Sequence, residues 1–238
     1  MQYSNKPPLA FVNKLLASLP REEYARLNRH LEPASLKKGK IIYYAGNPVR
    51  EAYFPLGGMI SLVSTTEEGY GVEVAMIGNE GMAGVSAILR GISAPYQVMV
   101  QIPGNAMRIK SELLIREFAR GEQLNNLLLR YTHTLVSQIS QSAVCNRFHT
   151  AEARLCRWLL TSHDRVGADT LNLTQEFLAY MLGSPRTSVT LIAGKLQGQK
   201  LIRYSRGKIK ILDRAGLERG SCECYRVVSH DISHFLAA

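Results

Sequence analysis

Residues 173–202 read LTQEFLAYMLGSPRTSVTLIAGKLQGQKLI, and this stretch decides the fold. Thr174 is suited to cap a helix, with Gln175 and Glu176 in a first turn that tolerates acceptors and negative charge. Phe177, Leu178, Met181 and Leu182 then recur at helical spacing, and Gly183 stands where a helix end commonly needs a left-handed residue. Ser184-Pro185 follows, a capping residue ahead of a proline at the first helical position. A second helix over about 184–197 turns Val189, Ile192, Ala193 and Leu196 inward. Two short helices joined by a glycine-containing turn make a helix-turn-helix. A plain helical hairpin with a solvated face would share that spacing, so the flanking residues matter.

On the outward side of the second helix lie Arg186, Thr187, Ser188, Thr190 and Lys195. Arginine can bridge guanine N7 and O6, hydroxyls can reach base edges or phosphates, and lysine neutralises phosphate. Thr174, Gln175, Ser184 and Pro185 complete the expected DNA-contacting set on the helical side. Downstream, LIRYSRGKIKIL (201–212) alternates Ile202, Tyr204, Ile209 and Ile211 around Arg206-Gly207, a β-hairpin with a basic tip. A basic hairpin directly after a recognition helix is a wing, with Arg206 and Lys208 beside the phosphate backbone; a solvated edge hairpin whose lysines block aggregation is the competing reading. The charge agrees. Residues 183–220 hold nine Lys or Arg against two acids, a surplus of seven within a formal net charge of +10.

Further upstream, Thr150 can cap a helix whose face is Leu155, Trp158 and Leu159, and residues 166–169 read as a loop. Before it, a long helix should run from about Glu122 to Phe148. Along it Leu124, Leu128, Tyr131, Leu135, Gln138, Ser142 and Cys145 recur at alternating steps of four and three. That seam either packs on its own domain or joins two copies of the chain. Ser111 is a candidate cap for a short helix ending near Phe118. From Leu36 to Lys110 short β-type runs (41–44, 53–55, 59–63, 72–77, 96–102 and 106–109) alternate with glycine-bearing turns, and 81–89 fits a short helix. This texture predicts an antiparallel barrel, roll or sandwich. Two short helices, Leu9–Leu19 and one fading by Pro33, precede it.

The whole chain resembles the Crp/Fnr superfamily of bacterial transcription regulators. The specific part is LTQEFLAYMLGSPRTSVT…KLQGQKLIRYSRGKIKILDRAGLE. Gly39-Lys40-Ile41, Gly46, Tyr53-Phe54-Pro55, Gly58 and the run 77–84, IGNEGMAG, are similar to the family's cyclic-nucleotide-binding-type β-roll. The resemblance implies an α+β chain: a sensor roll over 1–121, a dimerisation helix over 122–148 and a winged helix-turn-helix over 149–238. It further implies a homodimer on a near-palindromic operator in double-stranded DNA, joined at Leu124, Leu128, Tyr131, Leu135 and Gln138. An effector in the roll, and RNA polymerase as partner for an activator, are expected on the same ground.

Some departures bear on ligands. Members that bind cyclic AMP carry a Gly-Glu pair and a later Arg-Ser or Arg-Thr pair. Here Met82 follows Gly81, Val85 follows Gly84, and 92–96 reads ISAPY, with Arg90 too early. A buried phosphate without such donors is costly, so no cyclic nucleotide is expected. Arg186 matches the family's guanine-reading arginine, whereas Thr187 and Leu191 replace an acid and a second arginine, so the operator should differ. No cysteine precedes Cys145, which argues against the N-terminal iron–sulfur cluster of the Fnr branch.

Of the four cysteines, Cys222-Glu223-Cys224 with His230 and His234 has a metal-like pattern, but one residue between the thiols is short for zinc. A reduced tail packing on the wing is the preferred reading, and no metal site is assigned; His30, His133, His149 and His163 have no partner at meaningful spacing. Nucleophile-elbow, zinc-protease and phosphate-loop motifs are absent, which argues against an enzyme. An effector-binding module whose basic end contacts RNA or protein is the competing class. With no membrane-length apolar run and no secretory signal, the expected place is the cytoplasm of a bacterium.

Overall fold

A computed structural model describes residues 13–91 and 93–237. The start of the expected Leu9–Leu19 helix therefore lies outside the described residues, and so does Ile92; α1 is Lys14–Ala17, capped by the Asn13 side chain. After α2 (Arg21–Asn28) the chain enters two antiparallel sheets. One has the order β1 (Glu32–Leu36), β7 (Gly104–Lys110), β3 (Glu51–Pro55). The other runs β2 (Ile41–Tyr43), β6 (Gln97–Ile102), β4 (Met59–Thr65), β5 (Gly71–Ile77). Strand β1 was not legible as a strand because Pro33 interrupts it; it lies at a sheet edge, where proline is tolerated. Gly58 shows why turn glycines punctuate this region: its φ is +78°, and a Cβ there would lie 2.5 Å from the Ile102 carbonyl oxygen.

Alternation along the second sheet buries both of its faces. Ile60, Leu62, Ala75, Ile77, Val98 and Val100 point into the roll with Phe54 and Met82. Met59, Val63, Met76 and Ile102 point the other way, into the core of the C-terminal domain. Each fully buried side chain of this size contributes about 1.5–3 kcal/mol of transfer free energy. The sheet is thus the shared wall between sensor-like roll and helix-turn-helix.

The roll closes through α3 (Val85–Ile88) and α4 (Ser111–Phe118). Ser111 is not the cap of α4; Lys110 holds that position and the Ser111 hydroxyl is buried inside the first turn. The long helix α5 spans Gln123–Phe148. Its predicted seam requires correction. Leu124, Leu128, Tyr131 and Leu135 are buried in the roll core of the same chain. The Tyr131 hydroxyl donates to the Met82 carbonyl at 2.9 Å. The Gln138 amide accepts from Met76 N at 2.9 Å and donates to Met76 O at 3.3 Å, completing the edge of β5 as a strand would. These side chains are consumed within the chain and are not available to a second copy. The exposed stripe of α5 is instead Leu129, His133, Val136, Ser140 and Ala143, again at steps of four and three, flanked by Val144 and Phe148.

Helix α6 (Ala151–Val166) follows, capped by Thr150, whose side chain accepts from Ala153 N. Beyond the loop, β8 (Thr170–Asn172) precedes α7 (Gln175–Leu182) and α8 (Arg186–Gly198). Strands β9 (Ile202–Ser205) and β10 (Lys208–Ile211) complete a sheet of order β8-β10-β9. Then come α9 (Arg214–Gly220) and α10 (Cys224–Ala237). The tail is a helix along α5 rather than a segment on the wing: Phe235 packs on Tyr131 with ring centroids 5.7 Å apart, and Arg130 donates to the Phe235 carbonyl at 2.8 Å. His230 and His234 are exposed and face one another, away from Cys222 and Cys224. Polar contacts also fasten α6 to the roll. Arg165 Nε meets Glu80 Oε1 at 2.7 Å, both nearly inaccessible, and Trp158 Nε1 donates to Glu73 at 3.0 Å. No helix among the described residues is long and apolar enough to cross a membrane.

Candidate nucleic-acid interface

Helices α7 and α8 form as the sequence reading expects at their shared turn. Thr174 Oγ1 accepts from Phe177 N at 3.2 Å and caps α7. Gly183 ends it at φ +54°, and an added Cβ would press within 3.2 Å of Val72, so the turn sits close against β5. The start of α8 differs in detail. Pro185 occupies the cap position, and the Ser184 hydroxyl reaches back to the Leu182 carbonyl at 3.3 Å instead of capping.

Val189, Ala193 and Leu196 anchor α8 to the domain core. Arg186, Thr187, Thr190, Leu191 and Gly194 consequently form its outer stripe, with Ser188 half-buried at the margin. Thr190 is held in place: its hydroxyl is 2.9 Å from both the Arg186 carbonyl and the Gln175 side-chain oxygen. Leu191 is 76% exposed, a large apolar side chain pointing at solvent from the middle of the stripe. In sequence it stands out only as a departure from the family pattern; its position suits contact with a thymine methyl. Lys195 lies off the stripe, paired with Glu152 of α6 at 2.6 Å, and does not join the other basic residues.

The wing tip completes the surface. Ser205 and Lys208 are paired partners, so Arg206 and Gly207 form a two-residue turn, at φ +49° and +73°. Both central residues at positive φ define a type I′ hairpin. An arginine in that conformation costs about 1 kcal/mol against glycine, and it sets a cation at the tip. Thr174, Gln175, Arg186, Tyr204 and Arg206 line one open concavity of about 440 Å³ between the α7 start, the α8 start and the wing. Arg203, Lys208 and Lys210 are exposed on the hairpin. Glu176 lines the same concavity, so its cations are the Arg206 guanidinium at the wing tip, beside the start of α7, and that of Arg186 at the start of α8.

Residues 153–220 match the model of the Crp-like helix-turn-helix domain, and residues 33–120 match that of the cyclic nucleotide-binding domain. The chain belongs to the Crp/Fnr superfamily of transcription regulators. Among curated proteins, this Crp/Fnr regulator is similar to the global nitrogen regulator of Synechococcus elongatus, 24% identical over 221 residues covering 89% of this chain and 98% of that protein. It is 27% identical over 195 residues to the transcriptional regulator SdrP of Thermus thermophilus, covering 79% and 93%. A solved regulator of the crp/fnr family from Eubacterium rectale superposes with TM-score 0.69 at 22% identity, covering 89% of this chain and 97% of that one. FixK2 from Bradyrhizobium japonicum does so with TM-score 0.69 at 18% identity, covering 81% and 98%. The solved structures carry the fold, and the helix-turn-helix match carries the activity: this Crp/Fnr regulator is a DNA-binding transcription regulator.

Proposed function

We propose that the regulator acts as a homodimer on a near-palindromic operator, with α8 of each copy in successive major grooves. The observation that carries this is the outer stripe of α8 beside a basic wing tip. Arg186 reads a guanine, Thr187 and Thr190 reach base edges or phosphates, and Leu191 meets a thymine methyl. Thr174, Gln175, Arg206 and Lys208 hold the phosphate backbone and set the register. The two copies meet along the exposed stripe Leu129, Val136, Ala143 and its neighbours, whose four-and-three spacing matches a coiled-coil seam. Such a protein works in the bacterial cytoplasm, where its operator is, and meets RNA polymerase there if it activates.

The roll is not built for a cyclic nucleotide, so an effector that controls this regulator is of another chemical class. Two observations support this. Tyr131 fills the space over Gly81, where an added Cβ would lie 2.4 Å from its hydroxyl, and Arg90, the nearest arginine in sequence, is exposed. A thermal-shift screen against cyclic nucleotides, small anions and metabolites tests the roll as a receptor; a cyclic nucleotide that raises the melting temperature would overturn this part. The DNA-reading assignment is tested separately. With an operator selected from random duplexes, Arg186→Ala should weaken specific binding by about 1–3 kcal/mol without altering binding to unrelated duplex. Unchanged operator affinity in a mobility-shift titration would remove α8 from the groove.

A further inference from the structure

Four potential ligand atoms converge where the long helix meets the last one. Cys145, in the final turn of α5, His149, the residue that terminates α5, and Cys222 and Cys224, at the α9–α10 connection, hold their S and N atoms within 4.8 Å of one another. The Cys145 and Cys222 sulfurs are 3.5 Å apart, and Cys224 Sγ is 3.4 Å from His149 Nδ1. All three cysteines are buried and none is in a disulfide. A tetrahedral Zn²⁺ site with metal–sulfur bonds of about 2.3 Å has ligand atoms separated by about 3.8 Å along each edge. The cluster has that size. An iron–sulfur cluster interposes its own iron and sulfide atoms and would spread the ligands wider.

The surroundings match what such a site requires beyond its ligands. His149 Nε2 is 3.1 Å from Glu223 Oε1. A neutral imidazole donating from Nε2 to that carboxylate presents its Nδ1 lone pair to the sulfurs, the carboxylate–histidine–metal arrangement that fixes ring and tautomer. Gln141 Nε2 donates to Cys224 Sγ at 3.0 Å, which suits a thiolate. Three thiolates on a dication leave one net negative charge. Arg154 and Arg157 are both buried on the adjacent face of α6, each with an Nε that has no hydrogen-bond partner among the described residues.

We propose that Cys145, His149, Cys222 and Cys224 bind one zinc-type divalent cation, a Cys₃His site tying the end of α5 and its junction with α6 to the chain leaving the wing. Sulfur and imidazole donors in a closed tetrahedron select Zn²⁺ over hard cations and leave no position for a reacting water, so the site is structural. Because His149 lies between α5 and α6, occupancy fixes the direction in which the DNA-binding domain leaves the long helix.

The test is cobalt substitution of the full-length protein, purified reduced and metal-free, followed by absorption spectroscopy and metal analysis. One Co²⁺ per chain should bind, with the intense visible bands of tetrahedral cobalt and a thiolate charge-transfer band, and Zn²⁺ should displace it. Cys145→Ser should abolish the spectrum. His149→Cys should keep the tetrahedral bands and strengthen the charge-transfer band. His149 is only partly buried, so that variant reports on the site even if Cys145→Ser fails to fold. A weak octahedral spectrum, binding unaffected by Cys145→Ser, or loss of tetrahedral binding in a folded His149→Cys would overturn the proposal. A Cys145–Cys222 disulfide in protein isolated under strictly anaerobic, alkylating conditions would do so equally.

Discussion

Replacing Glu73 by glutamine should stabilise the protein at alkaline pH and leave it nearly unchanged in acid. Glu73 lies in β5, buried at the wall between roll and DNA-binding domain. Burial is the largest influence on its carboxyl group and pushes the pKa up to about 7, against the opposing effects of Ser61, Arg157, Arg165 and Trp158. In the unfolded chain the group titrates near 4.5. Between those values the folded state holds a proton that the unfolded state has lost, so stability falls as pH rises and levels off above about 7. From pH 5 to pH 8 this single group should cost about 2.5 kcal/mol. Glutamine mimics the protonated acid. Its oxygen can accept from Trp158 Nε1, and its amide can donate to Ser61 Oγ, whose own proton goes to Gln101 Oε1, 2.7 Å away. Urea unfolding at pH 5 and pH 8 measures the effect, followed by the fluorescence of Trp158, the chain's one tryptophan. The wild type should lose that increment between the two pH values and Glu73→Gln should not. Parallel pH profiles, or a variant less stable than wild type at pH 8, would refute the reasoning.

Three further outcomes are expected. Leu129→Glu and Val136→Glu should give folded monomers in sedimentation velocity, whereas Leu128→Glu should unfold the roll because Leu128 is fully buried; a dimer persisting in both exposed-stripe variants would exclude that seam. Glu80→Ala should destabilise by about 3–5 kcal/mol in chemical denaturation by stranding the buried Arg165 charge, with much of the loss recovered in Glu80→Leu/Arg165→Met; a cost under 1 kcal/mol would show that the pair is solvated. Arg206→Ala and Lys208→Ala should each lower binding to operator and random duplex alike and reduce the salt slope by about one; a sequence-selective loss would put the wing in a groove instead.

What the sequence determined by itself is the local machinery of recognition. Thr174, Gly183 and the Arg206-Gly207 turn act through backbone groups a few residues away, so their roles survive without knowledge of the rest of the chain. The phase of α5 was equally legible, since a four-and-three spacing is a property of the helix alone. Which of its faces looks inward was not. Leu124–Gln138 and the adjacent stripe from Leu129 to Ala143 both repeat with that period, and only the position of the roll and α10 shows that the first is filled by the chain itself. The second sheet posed the same problem: alternation marks two faces, but a second domain on the outer one is a long-range fact. The cysteines make the contrast sharpest. Cys222 and Cys224 paired poorly with His230 and His234 by spacing, while their true neighbours, Cys145 and His149, lie more than seventy residues upstream. Spacing reports contacts within a few turns of chain; contacts between distant segments depend on how whole elements pack, and that is decided by burial in three dimensions.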